Sequence, residues 1–450
     1  MNHLGPRLVV AGTSSGVGKT TVATGLMAAL RARGDRPAGA KVGPDFIDPG
    51  YHSLASGRPP RNLDAWLCGT EAIGPLAARA GRDAGVLIIE GVMGLFDGAT
   101  DGRPSSTADV ARLLGAPIVL VVDAAAMSAS VAAMVHGYRT FDPTIRVAGV
   151  ILNQVGSPGH ETLLREALAP TGLPVLGALH RDDGLRWRDR HLGLVPVAEA
   201  PATVAGALDR LAGRVAAQVD LDAVMAVART AAPMTAGDVA LPRRVGPARV
   251  GVAGGPAFTF TYTDTVDALE AAGAEVVTFD PLNDSELPDD LDGLIVGGGF
   301  PEVHAAELAA NRGLLDRLAA FVAGGRPTWA ECGGLLLLTG DLDGHAMAGT
   351  VGARATMTGR LTLGYRTATT TVATPIGPAG TELRGHEFHY SKVTPPGDAL
   401  RLESRWGTTG DGFATANLLA TYLHFHPGGD PGPVGRFVGA CALRSALRNG

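Results

Sequence analysis

Short runs of apolar, often β-branched residues alternate with alanine-rich stretches along most of the chain. Continuous apolar runs in the first half predict strands at residues 7–10, 86–90, 118–123 and 148–153, and an alanine-rich stretch predicts a helix at 20–33. Strands that are apolar at consecutive positions are typical of a parallel sheet covered on both faces by helices. The first half therefore predicts an α/β fold with an open parallel sheet.

The pattern is interrupted at residues 230–247, TAAPMTAGDVALPRRVGP, where proline, glycine, alanine and threonine are frequent. It resumes with three predicted strands and one predicted helix: 248–253, 275–279, 294–296 and 263–272. We therefore expect two doubly wound α/β domains, residues 1–229 and residues 248–450, joined by a linker at 230–247.

Composition and charge narrow the function classes. With 46% apolar and 18% charged residues, the 450-residue chain is too apolar for intrinsic disorder. The net charge of −6 argues against nucleic acid as a partner, although one local pocket can still hold an anion. No apolar run approaches the roughly 18 residues of a membrane span, and the N-terminus does not resemble a signal peptide. We expect a cytoplasmic protein with no membrane partner.

The three cysteines, Cys68, Cys332 and Cys441, are odd in number and widely spaced. Without a CxxC pair, this spacing predicts neither a disulfide framework nor a metal or redox pair. Cys68 and Cys441 are expected to be buried apolar side chains.

The sequence GTSSGVGKT follows the first predicted strand and opens the first predicted helix. Its residues are Gly12, Thr13, Ser14, Ser15, Gly16, Val17, Gly18, Lys19 and Thr20. Glycines in such a loop let backbone N–H groups approach phosphate oxygens, and the helix N-terminus adds a favourable dipole. The lysine can reach the β- and γ-phosphates, and the threonine hydroxyl can bind Mg²⁺. The loop therefore predicts ATP binding.

Two acidic segments of the first half are candidates for the same site. KVGPDFIDP contains Lys41, Asp45 and Asp48, and Glu90 ends a predicted strand. Ligands of open parallel sheets bind beyond the carboxyl ends of the strands, where Glu90 is expected. Asp45, Asp48 and Glu90 can hold Mg²⁺ or orient a substrate carboxylate. The alternative is that they only form turns and caps.

Three further polar residues are expected at strand ends or in loops: Asp123, Asn153 and Asn417. Such residues usually act as local caps. Asn153 can alternatively contact the nucleotide base.

One cysteine lies on a predicted tight turn between an extended run and a leucine-rich helix. In TWAECGGL, the glycines that follow Cys332 permit the strained turn of a nucleophile elbow. A helix N-terminus next to the sulfur predicts a lowered thiol pKa and a reactive thiolate. The Gly333 N–H is one candidate for an oxyanion hole, and GGGFPE offers Gly298 and Gly299 for the other.

Two sequences can supply the base that activates this cysteine. TYLHFHP contains His424 and His426, and GHEFHYS contains His386 and His389. Spacing cannot choose among them, because a nucleophile and its base meet in space and not along the chain. Paired histidines can also bind zinc, but these pairs, which we expect on loops, lack a third ligand at a known spacing.

Seven sequences together resemble one enzyme family. They are GTSSGVGKT, KVGPDFIDP, EGVMGLFDG, GGGFPE, AECGG, GHEFHYS and TYLHFHP, and they span nearly the whole chain. The first has Thr13 where the standard phosphate-loop pattern has glycine, and is similar to the loop of dethiobiotin synthetase. The set resembles the cobyrinic acid a,c-diamide synthase family, of which hydrogenobyrinic acid a,c-diamide synthase is the aerobic-pathway form.

The resemblance implies a fold and a reaction. The fold is a P-loop NTPase domain similar to dethiobiotin synthetase, followed by a class I glutamine amidotransferase-like domain. In the second domain, Cys332 attacks the glutamine amide, His424 is the general base, and ammonia is released through a thioester. In the first, ATP converts a carboxylate of the corrin ring to an acyl phosphate, which ammonia converts to a carboxamide. The cycle repeats at a second carboxylate.

The resemblance also implies the ligands of each site. The partners are ATP, L-glutamine and a corrinoid polycarboxylate, with Mg²⁺ as the cofactor. The residues implied at the metal are Thr20, Asp45 and Glu90. Those implied at the substrate or acyl-phosphate site are Lys41, Asp45, Asp48 and Glu90.

One position departs from the pattern of triad-type amidotransferases. Many of them have glutamate two residues after the base, and here that position is His426. The resemblance implies that this absence is usual in the cobyrinate and cobyric acid synthases. The third, orienting member of the triad stays open, and a dyad is an alternative.

Other functions also stay open. A cobyric acid synthase amidates different carboxylates of the same ring, although the chain length and KVGPDFIDP favour the diamide synthase. A diamide synthase for another metal tetrapyrrole is a second alternative. A partition-type ATPase with an inactive second domain is a third, and an intact Cys332 argues against it. A homodimer, the order of amidation and the cobalt content of the ring are left open.

Overall fold

The computed structural model describes residues 2–182, 189–190, 193–194, 196–199 and 201–449. It divides the chain into two compact units, Met1–Val239 and Ala240–Gly450. Each unit contains a parallel sheet with helical connections. Within the described ranges, no helix is both long enough and apolar enough to cross a bilayer.

A seven-stranded parallel sheet forms the centre of the first unit. From one edge to the other its strands are Arg61–Leu63, Pro37–Val42, Val86–Glu90, Arg7–Gly12, Ile118–Asp123, Val147–Val155 and Val175–His180. Strands Pro37–Val42, Val86–Glu90 and Arg7–Gly12 are buried at every position, which explains why most of their residues are apolar. The predicted parallel sheet is confirmed.

Helices connect these strands, as parallel neighbours require. They are Lys19–Arg33, Asp48–Ser56, Ala65–Cys68, Thr70–Ala80, Thr107–Leu113, Ser130–Thr140, Pro158–Leu168, Pro201–Gln218 and Leu221–Arg229, with 3₁₀ turns at Ala169–Thr171 and Val197–Glu199. The first helix buries Val22, Leu26 and Leu30 completely against the sheet. It begins one residue before the predicted start.

Two short antiparallel strand pairs complete the first unit. Asn2–Leu4 pairs with Met234–Ala236, and Asp189–Arg190 pairs with Gly193–Leu194. Met234–Ala236 lies within the segment 230–247 that the sequence assigns to a linker. Part of that segment is therefore a strand of the first unit.

The second unit contains a six-stranded sheet. Its strands are, in order, Ala274–Phe279, Ala248–Ala253, Gly293–Val296, Thr328–Glu331, Leu418–Thr421 and Phe413–Thr415, and only the last is antiparallel to its neighbour. The helices are Thr263–Ala272, Ala305–Ala310, Arg312–Ala323, Gly333–Leu338 and Gly432–Asn449, with a 3₁₀ turn at Pro301–His304. The predicted α/β class is confirmed for this unit as well.

A second sheet in this unit is mostly antiparallel and was not predicted. Its strands are His345–Ala346, Asp341–Leu342, Arg354–Thr370, Glu382–Thr394 and His424–Phe425, with Leu400–Ser404 and Gly407–Asp411 branching from Arg354–Thr370. The expectation that GHEFHYS lies on a loop was wrong, because this sequence forms the middle of strand Glu382–Thr394.

Candidate active site

The phosphate loop joins strand Arg7–Gly12 to helix Lys19–Arg33. Gly16 and Gly18 have φ angles of 80° and 94°, a backbone region that glycine enters without a steric penalty. The Asn153 side chain donates from Nδ2 to the Val17 carbonyl at 2.9 Å, and a Cβ on Gly18 would overlap this amide. The structure therefore places Asn153 against the backbone of the loop.

Lys19 folds back over the loop that precedes it. Its Nζ donates to the Ser14 carbonyl at 2.9 Å, and the residue is only 7% exposed. Burial lowers the pKa of Lys19 to about 8; the charge of Lys41 acts in the same direction, and the carboxylates of Glu90 and Asp48 oppose it. An additional anion at this place would therefore stabilise the charged form of Lys19.

Polar side chains converge beside the loop, at the carboxyl ends of adjacent strands. Glu90 Oε1 accepts a hydrogen bond from Thr20 Oγ1 at 2.6 Å and lies 2.9 Å from Lys41 Nζ. Asp48 Oδ2 lies 2.8 Å from the same ammonium group and 3.3 Å from Thr20 Oγ1. Lys41 and Glu90 are opposite each other in the register of two parallel strands, so the sheet itself sets this contact.

Glu90 has a second buried partner that the sequence reasoning missed. His52 Nε2 lies 2.6 Å from Glu90 Oε2, and neither side chain is exposed. His52 lies on helix Asp48–Ser56, which packs close to Gly39: a Cβ there would lie 2.8 Å from the His52 Cβ. The two oxygens of Glu90 are thus held from different sides.

The electrostatics of this cluster favour a charged pair. Burial opposes the charge on Lys41, but Asp48 and Glu90 raise the pKa of that ammonium above its usual value. Burial also opposes the charge on Glu90, but Lys41 and His52 hold the pKa of that carboxyl below its usual value. Burial and the nearby Asp45 and Glu90 raise the pKa of Asp48. Lys41 and Glu90 are therefore the charged partners, and Asp48 is the group that more readily holds a proton.

Asp45, which the sequence predicts as a metal ligand, contacts the backbone of the turn that follows it. Its Oδ1 accepts N–H bonds from Ile47 at 2.7 Å and Asp48 at 3.0 Å, so it caps the start of the following helix. Asp48, which this cap positions, is the carboxylate that reaches Thr20. Among the described residues, no group of three or more histidine, cysteine, aspartate or glutamate side chains could hold a metal by itself.

Cys332 lies between strand Thr328–Glu331 and helix Gly333–Leu338, with φ 47° and ψ −100°. A positive φ is uncommon for a residue with a side chain and marks a strained turn. The Cys332 N–H donates to the Thr421 carbonyl at 2.7 Å, which fixes the turn against the neighbouring strand. The local geometry is that of a nucleophile elbow.

The expectation of a lowered thiol pKa was wrong. Cys332 is 5% exposed, and burial raises its pKa above the usual value. The carboxylate of Glu302 acts in the same direction, and the Gly333 N–H opposes it only in part. The resting sulfur is therefore a protonated thiol that needs a base for activation.

The glycine loop lies directly against this turn. A Cβ on Gly333 would lie 3.0 Å from the Gly299 nitrogen and 3.3 Å from the Gly298 carbonyl carbon. The Gly298 N–H, however, donates to the Phe260 carbonyl at 3.2 Å, and the Phe260 N–H donates back at 3.0 Å. This bridge engages the Gly298 N–H, which leaves Gly299 and Gly333 as the candidate oxyanion donors.

His424 follows strand Leu418–Thr421, the parallel neighbour of the strand that ends at the elbow. A Cβ on Gly298 would overlap His424 Cε1 and lie 3.2 Å from Nε2. The Cε1–Nε2 edge of the ring therefore faces the glycine loop that packs against the Cys332 turn. Among the four candidate histidines, His424 is therefore one that contacts the glycine loop beside this cysteine.

The other side of the His424 ring has two neighbours. Nδ1 lies 3.4 Å from Glu331 Oε2, and the ring stacks on His386 with a centroid distance of 5.0 Å. Burial lowers the pKa of His386 well below its usual value, and His424 and His426 act in the same direction. His386 is therefore a neutral stacking partner.

The rest of GHEFHYS packs against Tyr422. The His389 ring lies parallel to the Tyr422 ring with a centroid distance of 3.7 Å, and Ser391 Oγ lies 3.0 Å from the tyrosine oxygen. Glu387 pairs with Arg366 at 2.7 Å. The motif therefore supports the segment that carries the candidate base.

Two family models match the chain. A CobQ/CobB/MinD/ParA nucleotide binding domain matches residues 8–195, and a CobB/CobQ-like glutamine amidotransferase domain matches residues 249–431. A curated hydrogenobyrinate a,c-diamide synthase of Streptomyces coelicolor is 48% identical, over 97% of each chain. The chain belongs to the a,c-diamide synthase family.

Further relatives carry related names. A hydrogenobyrinate a,c-diamide synthase of Thermobifida fusca is 48% identical over 98% of this chain and 97% of its own. A cobyrinate a,c-diamide synthase of Syntrophotalea carbinolica is 44% identical over 97% of this chain and 98% of its own. The predicted family is confirmed, and so is the order of a nucleotide-binding unit before an amidotransferase unit.

In this member of the diamide synthase family, eight of the predicted site residues meet in two clusters. They are Thr20, Lys41, Asp48 and Glu90 in the first unit, and Cys332, Gly299, Gly333 and His424 in the second. His52 and Glu331 were missed. The first stands four residues after Asp48, on the same face of a helix, and the second directly precedes the cysteine. The four-residue spacing from Asp48 and the position next to Cys332 are the sequence signals that could have identified them.

Proposed function

We propose that this chain is a glutamine-hydrolysing carbon–nitrogen ligase. It amidates the a- and c-side-chain carboxylates of hydrogenobyrinate or cobyrinate in cobalamin biosynthesis, with ATP as co-substrate. The observation that carries the proposal is that one chain joins a phosphate loop beside the buried Lys41–Glu90 pair to a unit with a Cys332 elbow. Relatives named a,c-diamide synthase, 44% and 48% identical, support the substrate class.

In the second unit we assign the nucleophile to Cys332 and the general base to His424. Because burial keeps the thiol protonated, His424 takes its proton as the sulfur attacks the glutamine amide carbon. The N–H groups of Gly299 and Gly333 are assigned to stabilise the oxyanion. The C–N bond then breaks as His424 returns the proton to nitrogen, ammonia leaves, and water hydrolyses the thioester to glutamate.

In the first unit we assign the triphosphate to the loop at residues 12–20. Lys19 offsets the charge that develops as a ring carboxylate oxygen attacks the γ-phosphorus and ADP leaves. Lys41, held between Asp48 and Glu90, is assigned to the acyl phosphate. Ammonia then attacks the acyl carbon, phosphate leaves, and loss of a proton from nitrogen gives the carboxamide. Phosphorylation is needed because a free carboxylate has no adequate leaving group.

The oxygens of Thr20, Asp48 and Glu90 lie together beside the phosphate loop and would hold a Mg²⁺ ion when a nucleotide is bound. When bound, the ion would neutralise charge on the phosphates. The described residues do not form a complete metal site of their own, so the fit depends on the nucleotide. Asp45 supports this set by capping the turn that positions Asp48.

Cys332→Ala tests the division of labour between the units. We expect the variant to lose glutaminase activity and glutamine-dependent amidation, while amidation with free ammonia stays within about twofold of the wild type. Cys68→Ala, at a buried cysteine of the first unit, is the matched control and should keep both activities. If ammonia cannot restore amidation by Cys332→Ala, the proposed two-site reaction is wrong.

Product masses test the substrate. Cobyrinic acid and hydrogenobyrinic acid are each incubated with ATP, Mg²⁺ and glutamine and then analysed by mass spectrometry. A mass change for two amidations on one of the acids is expected. Further amidation of an a,c-diamide would favour a cobyric acid synthase instead, and glutamine hydrolysis without amidation of either acid would contradict the substrate class.

A further inference from the structure

The position that holds the orienting glutamate in many triad-type amidotransferases is occupied here by a histidine with another role. His426 Nδ1 accepts the Gly428 N–H at 3.0 Å, so the proton of a neutral His426 ring is on Nε2. That nitrogen faces Asp264 Oδ2 at 3.7 Å, and the ring packs on Tyr262 with a centroid distance of 4.5 Å. His426 therefore packs against the start of helix Thr263–Ala272.

A different carboxylate faces the base. Glu331 Oε2 lies 3.4 Å from His424 Nδ1, and the two side chains are only 12% and 3% exposed. Burial raises the pKa of Glu331, and the contacts with His424 and the Phe425 backbone oppose this effect. The carboxylate and the imidazole thus stabilise each other in a setting from which water is largely excluded.

The sheet explains why these two side chains meet. Glu331 is paired with Thr421 at the ends of adjacent parallel strands. One strand continues into Cys332 and the elbow, and the other continues into the segment that carries His424. The residue before the nucleophile is therefore brought next to the base by the register of the strands, without a glutamate after the base.

We propose that Glu331 is the positioning residue that orients His424 in the glutaminase reaction. Its carboxylate holds the tautomer with the proton on Nδ1, so that Nε2, on the edge that faces the glycine loop, can accept the Cys332 proton. It also stabilises the imidazolium formed when that proton has moved. The inference rests on the proposed function, since it needs Cys332 and His424 to act as nucleophile and base.

Other charged groups near His424 have contacts of their own. Glu387 is paired with Arg366 at 2.7 Å, and His426 is held beside Asp264. His386 stacks on the His424 ring with a centroid distance of 5.0 Å and an interplanar angle of 27°. Glu331, in contrast, has a carboxylate oxygen within ion-pair range of His424 Nδ1, at 3.4 Å.

Glu331→Gln tests the proposal. The substitution keeps the size of the side chain but removes its charge, and its amide can bind the wrong tautomer. We expect kcat for glutamine hydrolysis to fall at least about tenfold, with KM for glutamine within about threefold of the wild type. Glu307→Gln, on an exposed side chain, is the matched control and should retain the wild-type kcat and KM.

The pH profile separates orientation from a general loss of structure. Without the carboxylate, the protonated imidazole is less stable, so the acid limb of kcat/KM should move to lower pH in Glu331→Gln. Glu331→Asp keeps the charge and should restore part of kcat with an acid limb close to the wild type. A wild-type kcat in Glu331→Gln, an unmoved acid limb, or an Asp variant no better than the Gln variant would overturn the proposal.

Parallel measurements on Cys332→Ala distinguish a failure of the Glu331 proposal from a failure of the proposed function. If the wild type shows no Cys332-dependent glutaminase activity, the proposed function itself fails. If that activity is present, equal ammonia-dependent amidation in the wild type and Glu331→Gln shows that the ligase unit is unaffected. An unchanged KM for glutamine then shows that the amidotransferase unit still binds its substrate, so that the change in kcat reports on Glu331.

Discussion

His52 Nε2 lies 2.6 Å from Glu90 Oε2, and both side chains are completely buried. Glu90 also accepts the Thr20 hydroxyl hydrogen and pairs with Lys41 through its other oxygen. A carboxylate held from two sides in this way has little freedom to turn, so His52 fixes the direction in which Glu90 presents its charge.

Removing this contact should weaken the ligase reaction. A hydrogen bond to a buried charged group contributes about 1.5–3 kcal/mol, so we expect His52→Leu to lower ammonia-dependent amidation by at least about tenfold. His52→Gln, whose amide nitrogen can reach a similar position, should retain more activity. Glutaminase activity, which belongs to the other unit, should stay close to that of the wild type.

His136→Leu is the matched control for this experiment, because His136 is exposed on a helix of the same unit. It should not change amidation. Ammonia-dependent amidation at the wild-type rate in His52→Leu would show that the contact with Glu90 is dispensable.

The substitution Gly298→Ala tests how closely the glycine loop must pack against His424. A Cβ at this position would overlap His424 Cε1 and lie 3.2 Å from Phe260 Cβ. Gly298→Ala should therefore displace the His424 ring and lower glutaminase kcat by about a hundredfold, as misplaced catalytic groups commonly do. Ammonia-dependent amidation should persist, which an assay without glutamine can establish.

Gly439→Ala is the control, since Gly439 lies in helix Gly432–Asn449 and nothing lies within 4 Å of an added Cβ. Alanine favours a helix over glycine by up to about 1 kcal/mol, so this variant should be unchanged or slightly more stable. Equal glutaminase activity in both variants would mean that the loop can move away from His424.

The fold could be predicted where apolar residues are continuous. Strand Val86–Glu90 was found with its observed limits because all five of its residues are buried. Strand Arg354–Thr370 was missed because most of its 17 residues are at least partly exposed, and threonine and arginine give it no apolar run. An exposed antiparallel sheet is specified by its pairing with other strands, which a single sequence does not reveal.

In the candidate site, too, a residue was predicted where neighbouring residues indicate its role and missed where the role depends on distant parts of the chain. Cys332 was predicted because glycines follow it in the sequence. The structure shows why a glycine is needed there: a Cβ on Gly334 would overlap the Val296 carbonyl. Glu331 was missed because its role depends on His424, which reaches it only through the register of two strands. Burial also reversed the predicted direction of the Cys332 pKa, since the depth of a thiol cannot be read from the residues beside it.

Asn153 offers a test between two roles. Its contact with the Val17 carbonyl indicates that it holds the phosphate loop, whereas the sequence also allowed a contact with the base. Loss of one hydrogen bond is worth about 1 kcal/mol, so Asn153→Ala should raise KM for ATP about fivefold. KM for other nucleoside triphosphates should rise by the same factor, and Asn417→Ala should change none of them. A changed preference between ATP and GTP would instead support a contact with the base.

Lys19 should make nucleotide binding depend on pH. Its pKa is lowered to about 8, chiefly by burial and then by Lys41, so above pH 8 the free protein holds this side chain largely neutral. Bound phosphates favour the charged form and raise the pKa again, so binding above pH 8 must take up a proton. The association constant should therefore fall with rising pH, approaching about tenfold per pH unit.

Calorimetric titration of the wild type with MgATP in buffers of different ionisation enthalpy measures this uptake. We expect about 0.75 proton per nucleotide at pH 8.5 and about 0.1 at pH 7, because the side chain is already charged at the lower pH. Lys19→Arg, whose guanidinium stays charged throughout this range, should bind without uptake. An equal uptake by the wild type at both pH values would show that Lys19 is not the group that titrates, and that its burial does not control its charge.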